Sequence, residues 1–127
     1  MSSSEITTHG VHVRAEPQHR PDLSEPGRWV FQYTIHITNL NDRPVRLLAR
    51  HWIITDGEGR SEEVRGLAVV GHQPLLKPGE SFEYSSWTRI ATPHGSMHGT
   101  FFCMTEDARP FDSPVPEFAL AVASTLH

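Results

Sequence analysis

The feature that most restricts how this chain can fold is the alternation from Trp29 to Thr38. Trp29, Phe31, Tyr33, Ile35 and Ile37 interleave with Val30, Gln32, Thr34, His36 and Thr38, so one face of an extended segment is aromatic or branched and apolar. Successive side chains of a strand point to opposite sides, and a period of two with one apolar face is the mark of a half-buried antiparallel strand. Elsewhere, no segment keeps a helical period with caps for ten residues. The class is therefore all-β.

The rest of the chain repeats the theme in short pieces. Val11, Val13 and Ala15 point inward against His12, Arg14 and Glu16. Asn39 to Pro44 supplies turn residues, because Asn and Asp bond locally to backbone and Pro presets φ. Val45 to Thr55 is long and mostly apolar, as a strand covered on both faces would be. Asp56-Gly57-Glu58-Gly59 predicts a hairpin turn, with Ser61 to Arg65 pairing back. Ser81 to Trp87 places Phe82 and Tyr84 inward, and Trp87 falls out of phase with them. Met97, Gly99, Phe101 and Cys103 share one face of a further strand. The last strand is expected from Glu117 to Ala123, burying Phe118, Leu120 and Val122, with Pro114 and Pro116 suiting the start of an edge strand. About seven antiparallel strands at this spacing predict a two-sheet β-sandwich. At 127 residues the chain reads as one domain, 1–127, with residues 1–5 disordered.

Charge and composition exclude several classes of function. The net charge is −4, and the cations are ten scattered arginines and one lysine, Lys77. Duplex nucleic acid calls for a basic face that releases counterions, so no nucleic-acid partner is expected. No apolar run approaches the ~20 residues of a membrane span, so no membrane insertion is expected. The start, Met1 to Glu5, lacks a secretory pattern, and a single cysteine fits a reducing compartment. The expected location is cytoplasmic.

Several blocks together resemble the bacterial ApaG family. They are Arg50-His51-Trp52-Ile53-Ile54-Thr55-Asp56, Glu63-Val64-Arg65-Gly66, Val69-Val70-Gly71 with Gln73-Pro74, and Pro78-Gly79-Glu80. Phe82-Glu83-Tyr84, Met97 with Gly99, and Pro116-Glu117-Phe118 complete the pattern, which runs from about Ile6 to the carboxyl end. The resemblance implies a fibronectin type III-like or immunoglobulin-like sandwich and a link to cobalt and magnesium resistance or efflux. It also implies kinship with domains of eukaryotic F-box proteins and of a polymerase-delta-interacting protein, which look like interaction modules. The family pattern commonly reads Gly-x-Gly-x-x-Gly in one loop. Here that loop is Gly66-Leu67-Ala68-Val69-Val70-Gly71, with alanine at the middle position.

Candidate sites follow from these residues. A dinucleotide fingerprint needs the middle glycine and a following helix, and Pro74 and Pro78 exclude a long helix. The loop is instead expected to bind a protein partner through Gly66, Leu67, Val69, Val70, Gly71, Gln73 and Pro74, aided by Leu75 and Leu76. The opposing expectation is that these apolar side chains cap one end of the core. Trp87 is a second possible anchor, unless it packs under the following loop. No metal site is expected: His94 and His98 lie about 13 Å apart on an extended segment, and His36 and His51 sit on strands that could pair but whose faces are open. Cys103 shares a face with Met97 and Phe101, so it reads as an inert buried thiol, and Ser85, Ser86 and Ser96 lack a nucleophile-elbow motif. The expected activity is therefore non-enzymatic and without cofactor: a module with an unknown protein partner, monomeric or weakly homodimeric. The alternative is a small-ligand binder, for a divalent metal or a nucleotide pyrophosphate at the glycine loop.

Overall fold

A computed structural model describes residues 3–122 of the chain. The elements are β1 (Ser4–Thr8), β2 (Val11–His19), β3 (Trp29–Asn39), β4 (Val45–Asp56), β5 (Ser61–Leu67), β6 (Leu75–Leu76), β7 (Ser81–Ile90), β8 (His94–Thr105) and β9 (Pro110–Ala121). A single 3₁₀ turn, Pro21–Leu23, is the one helical element among the described residues. One sheet has the order β1-β2-β3-β7, the other β5-β4-β8-β9 with β6 added to β4, and every pairing is antiparallel. This is the expected two-sheet sandwich of fibronectin type III or immunoglobulin type.

The core is the set of inward faces that the alternation predicts. Phe31, Tyr33, Ile35 and Ile37 of β3 are buried, as are Val11, Val13 and Ala15 of β2 and Met97, Phe101 and Cys103 of β8. Trp52 lies at the centre, with edge-on contacts to Tyr33, Phe101 and Phe118 at centroid distances of 5.5, 5.9 and 6.2 Å. Such T-shaped pairs align ring edges with ring faces and add about 0.5–1.5 kcal/mol each beyond area burial. Gly99 sits opposite Trp52, where a Cβ would come within 2.7 Å of the indole ring, so the strand pair closes only because that position is bare.

Four sequence expectations change. Among the described residues there are nine strands rather than about seven, because β1 and β6 escaped the reading. Ser4 and Glu5, expected to be disordered, pair with Ala15 and Arg14, and the Ser4 hydroxyl donates to the Glu117 carbonyl at 3.0 Å. Met1 and Ser2, and Ala123 at the end of the expected last strand, lie outside the described residues. β4 is not evenly covered on both faces. Its register shifts between Leu47 and Ala49, so Val45 and Leu47 are buried before the bulge, and Trp52 and Ile54 after it. One extra residue reverses the phase of a period-two pattern, which is why the run reads as apolar on both sides. β9 starts at Pro110 rather than Glu117 for the same reason. A shift opposite Met97/Gly99 separates buried Ser113 and Val115 from buried Phe118 and Leu120.

Candidate binding surface

The glycine loop is an excursion from one edge of β4. β5 ends on that edge with Leu67 opposite Ala49, and β6 returns to it with Leu75 opposite Arg46, while β8 occupies the other edge. The bulge at Leu48 anchors the excursion: its carbonyl accepts the Ala68 N–H at 2.7 Å and Gln73 Nε2 at 3.0 Å. The Pro74 carbonyl accepts the Leu47 N–H at 3.1 Å, and the Gln73 carbonyl accepts Arg46 Nη1 at 2.8 Å. Arg50 closes the near side, donating from Nη1 to the Ala68 carbonyl at 2.9 Å and the Leu67 carbonyl at 3.3 Å. Its guanidinium occupies the space over Gly66, where a Cβ would fall 2.5 Å from Nη1.

At the tip, Val69 and His72 exchange both backbone hydrogen bonds, at 2.6 and 3.1 Å, around Val70 and Gly71. Both central residues have positive φ, 51° and 81°, so this is a two-residue turn of the I′ kind. Ala68 also has a positive φ, 69°. The left-handed region suits glycine and is costly for alanine and, above all, for a β-branched residue. The position where the family pattern has its middle glycine is thus one whose backbone conformation by itself favours glycine. The N–H groups of Ala68, Val69 and His72 are committed to internal carbonyls, which leaves only those of Val70 and Gly71 at the tip, and among the described residues no helix follows. A phosphate-cradling loop presents such donors free.

The loop divides the sequence-predicted residues into two sets. Val69 is fully buried and Leu76 is buried with it, so these two cap the core. The expectation of an exposed Val69 is therefore corrected: its side chain is the plug that holds the loop down. Leu67 is 82% exposed, Val70 48% and Leu75 43%. With Ala49 and Arg46 three positions apart in register, Leu67 and Leu75 stand about 10 Å apart along one strand edge. Gly66, Gly71, Gln73 and Pro74 shape and pin the backbone that carries them.

The other candidates separate. Trp87 is 51% exposed, and the Arg20 guanidinium lies 4.9 Å from its ring centroid, so it is not packed under the following loop. Sequence reading missed Arg20, because that contact joins residues far apart in the chain. His36 and His51 are on different sheets and do not approach through pairing. His94 is exposed and His98 half-buried along β8. Among the described residues, no three His, Cys, Asp or Glu side chains converge as a metal site would require. Cys103 is buried, and burial pushes its thiol up to about 12, so little thiolate forms at neutral pH. The Tyr84 hydroxyl is buried with no hydrogen-bond partner among the described residues, and burial raises its pKa. No helix among the described residues is long and apolar enough to cross a membrane.

Comparison with known proteins gives one consistent result. The family model described as the ApaG domain matches residues 19–105. The chain is 50% identical to Protein ApaG of Ralstonia nicotianae over 129 aligned positions, covering 100% of both chains. It is 48% identical to Protein ApaG of Bordetella pertussis, covering 96% of this chain and 95% of that one. A crystal structure of an ApaA protein from Bordetella pertussis superposes with a TM-score of 0.89 at 48% identity, covering 94% of this chain and 99% of that one. The sandwich, its pinned loop and these matches together establish that the chain belongs to the ApaG domain family.

Proposed function

We propose that the chain is a non-enzymatic binding module that docks a protein partner on the ridge formed by Leu67, Val70 and Leu75. One observation carries this reading: three large apolar side chains are held in solvent by a backbone fixed on all sides, at the cost of left-handed φ at Ala68 and Val70. A loop that served only to close the sandwich would place polar residues at those positions, and strained backbone that persists commonly marks a functional segment. The rigid frame lowers the ordering cost of docking. Burying each exposed leucine in an interface contributes about 1–3 kcal/mol. The buried, protonated Cys103 thiol and the dispersed histidines support a role without catalysis. The module acts in the cytoplasm, and the implied tie to cobalt and magnesium resistance runs through the partner rather than through metal bound by this chain.

The test is affinity capture from the native bacterium with the wild type and with a Leu67→Asp/Leu75→Asp variant. The variant should keep its thermal midpoint within a few degrees and lose at least about tenfold in capture of the partner. Undiminished capture would sink the proposal. So would saturable amide shifts on titration with cobalt, magnesium or a nucleotide, clustered at residues 66–74, since a ligand would then own the loop.

A further inference from the structure

β7 closes one side of the β1-β2-β3-β7 sheet. β3 pairs with it along its whole length, from Thr38/Ser81 to Trp29/Ile90, and among the described residues no strand pairs with its other side. An open edge is a row of unpaired N–H and C=O groups, and natural sheets blunt such edges with short strands, proline, lysine or bulges. The other edges here are blunted. β1 has 5 residues, and β9 carries Pro110, Pro114, Pro116 and a register shift. β5 has 7 residues, and its Glu63 and Arg65 already pair with each other at 3.3 Å. β7 runs 10 residues in unbroken register with no proline and no lysine. Its solvent-facing row is Ser81, Glu83, Ser85, Trp87 and Arg89, all exposed.

That row is complementary to its own reverse. We propose that β7 is a homodimerisation edge, at which two copies pair antiparallel about a two-fold axis through Ser86, with Glu83 of each copy facing Arg89 of the other. The two four-stranded sheets then become one continuous sheet of eight. Sterics and charge select this register. A slip of one residue sets inward side chains against outward ones. A slip of two sets Glu83 against Trp87 or Ala91, and Arg89 against a serine. Centred on Ser86, both charges are opposed by their opposites, and Ser85 faces Trp87. On the inner face, Tyr84 faces Thr88 and Phe82 faces Ile90.

The surrounding residues fit. Arg89 makes no ion pair within its own chain among the described residues. Glu83 is held in place by His36 Nδ1 at 2.7 Å, whose Nε2 reaches Glu16 at 2.9 Å. Glu5, Arg14, His36 and Glu83 are register neighbours on four successive strands, and Arg89 of the second copy extends that row across the axis. Trp87, half exposed in one copy, becomes a diagonal neighbour of its counterpart, about 7–8 Å away and within reach of aromatic contact. A single strand pairing falls at the small end of specific interfaces, so the dimer is weak and concentration-dependent.

Sedimentation velocity over a concentration series of the full chain tests this with a charge swap. Wild type should self-associate, and less so in high salt. Glu83→Arg and Arg89→Glu each set like charges together twice in a homodimer, and each alone should weaken self-association at least about tenfold. An equimolar mixture of the two variants restores unlike pairs at both positions, and should recover association to within about threefold of wild type. Recovery on mixing also shows that both variants are folded. A wild type that stays monomeric at millimolar concentration overturns the proposal. Single variants that dimerise as well as wild type, or a mixture that fails to recover, overturn it equally.

Discussion

Two tight turns in this molecule share a backbone and differ in what they carry. His9-Gly10, between β1 and β2, has φ values of 51° and 74°, and Val70-Gly71 has 51° and 81°. Both are two-residue connections in which each central residue is left-handed. In the first, the residues suit the geometry, since His is among the side chains enriched at positive φ and Gly tolerates it without cost. That turn is also built into its surroundings: Asn41 Nδ2 donates to the His9 carbonyl at 2.9 Å, and the Gly10 carbonyl accepts the Leu40 N–H at 2.7 Å. In the second, a β-branched valine stands where Asn is favoured, its side chain half in solvent. The fold needs only the backbone of that turn. On the proposed reading, the unfavourable side chain is there for what it presents outward, which sets this turn apart from a purely structural hairpin.

The comparison can be broken at its base by charging the plug beneath the loop. Val69→Asp buries an unpaired carboxylate among apolar side chains, and should cost more than about 4 kcal/mol in denaturant unfolding or prevent folding. Leu67→Asp, two residues away but exposed, should stay within about 0.5 kcal/mol. If the two behave alike, the division of the loop into plug and ridge is wrong.

Alanine at the two glycines tests how far each turn is tied to its neighbours. A Cβ on Gly10 would fall 2.2 Å from Asn41 Oδ1, whereas one on Gly71 meets nothing within 4 Å. Both substitutions incur left-handed strain of about 1–2 kcal/mol, and Gly10→Ala must in addition displace Asn41 and its bond. Gly10→Ala should therefore lower the thermal midpoint about twice as far as Gly71→Ala. Equal losses would mean that the Asn41 tether contributes nothing.

The smallest effect is the most informative. Val70→Asn restores the favoured residue of an I′ turn, and should raise stability by about 1 kcal/mol while weakening partner capture. His9→Asn should change stability by a few tenths and leave capture untouched. A Val70→Asn protein that is both more stable and fully competent would leave the valine without a functional explanation.

Much of the fold was legible because period-two alternation survives wherever a strand keeps its phase, as in β2, β3 and β8. It failed at Leu48 and near Pro116-Glu117, where a single inserted residue reverses which side chains face the core. It also failed at β1 and β6, which are too short or too polar to show a period and exist only through their pairing. The glycine loop was legible as a feature, yet its apolar residues could not be sorted into buried and exposed. That sorting depends on the turn at Val70-Gly71, which swings Val69 under the loop and Val70 out of it.

Local residue patterning is enough to specify an all-β chain with a defined set of inward faces, because alternation is a local property of an extended backbone and the hydrophobic effect acts on it directly. Tertiary structure alone decided where those faces invert, which loop residues plug the core and which edge of the sandwich stays open. Bulges, crossovers and strand order depend on partners far away in the chain, and no local pattern of residues encodes the position of a partner.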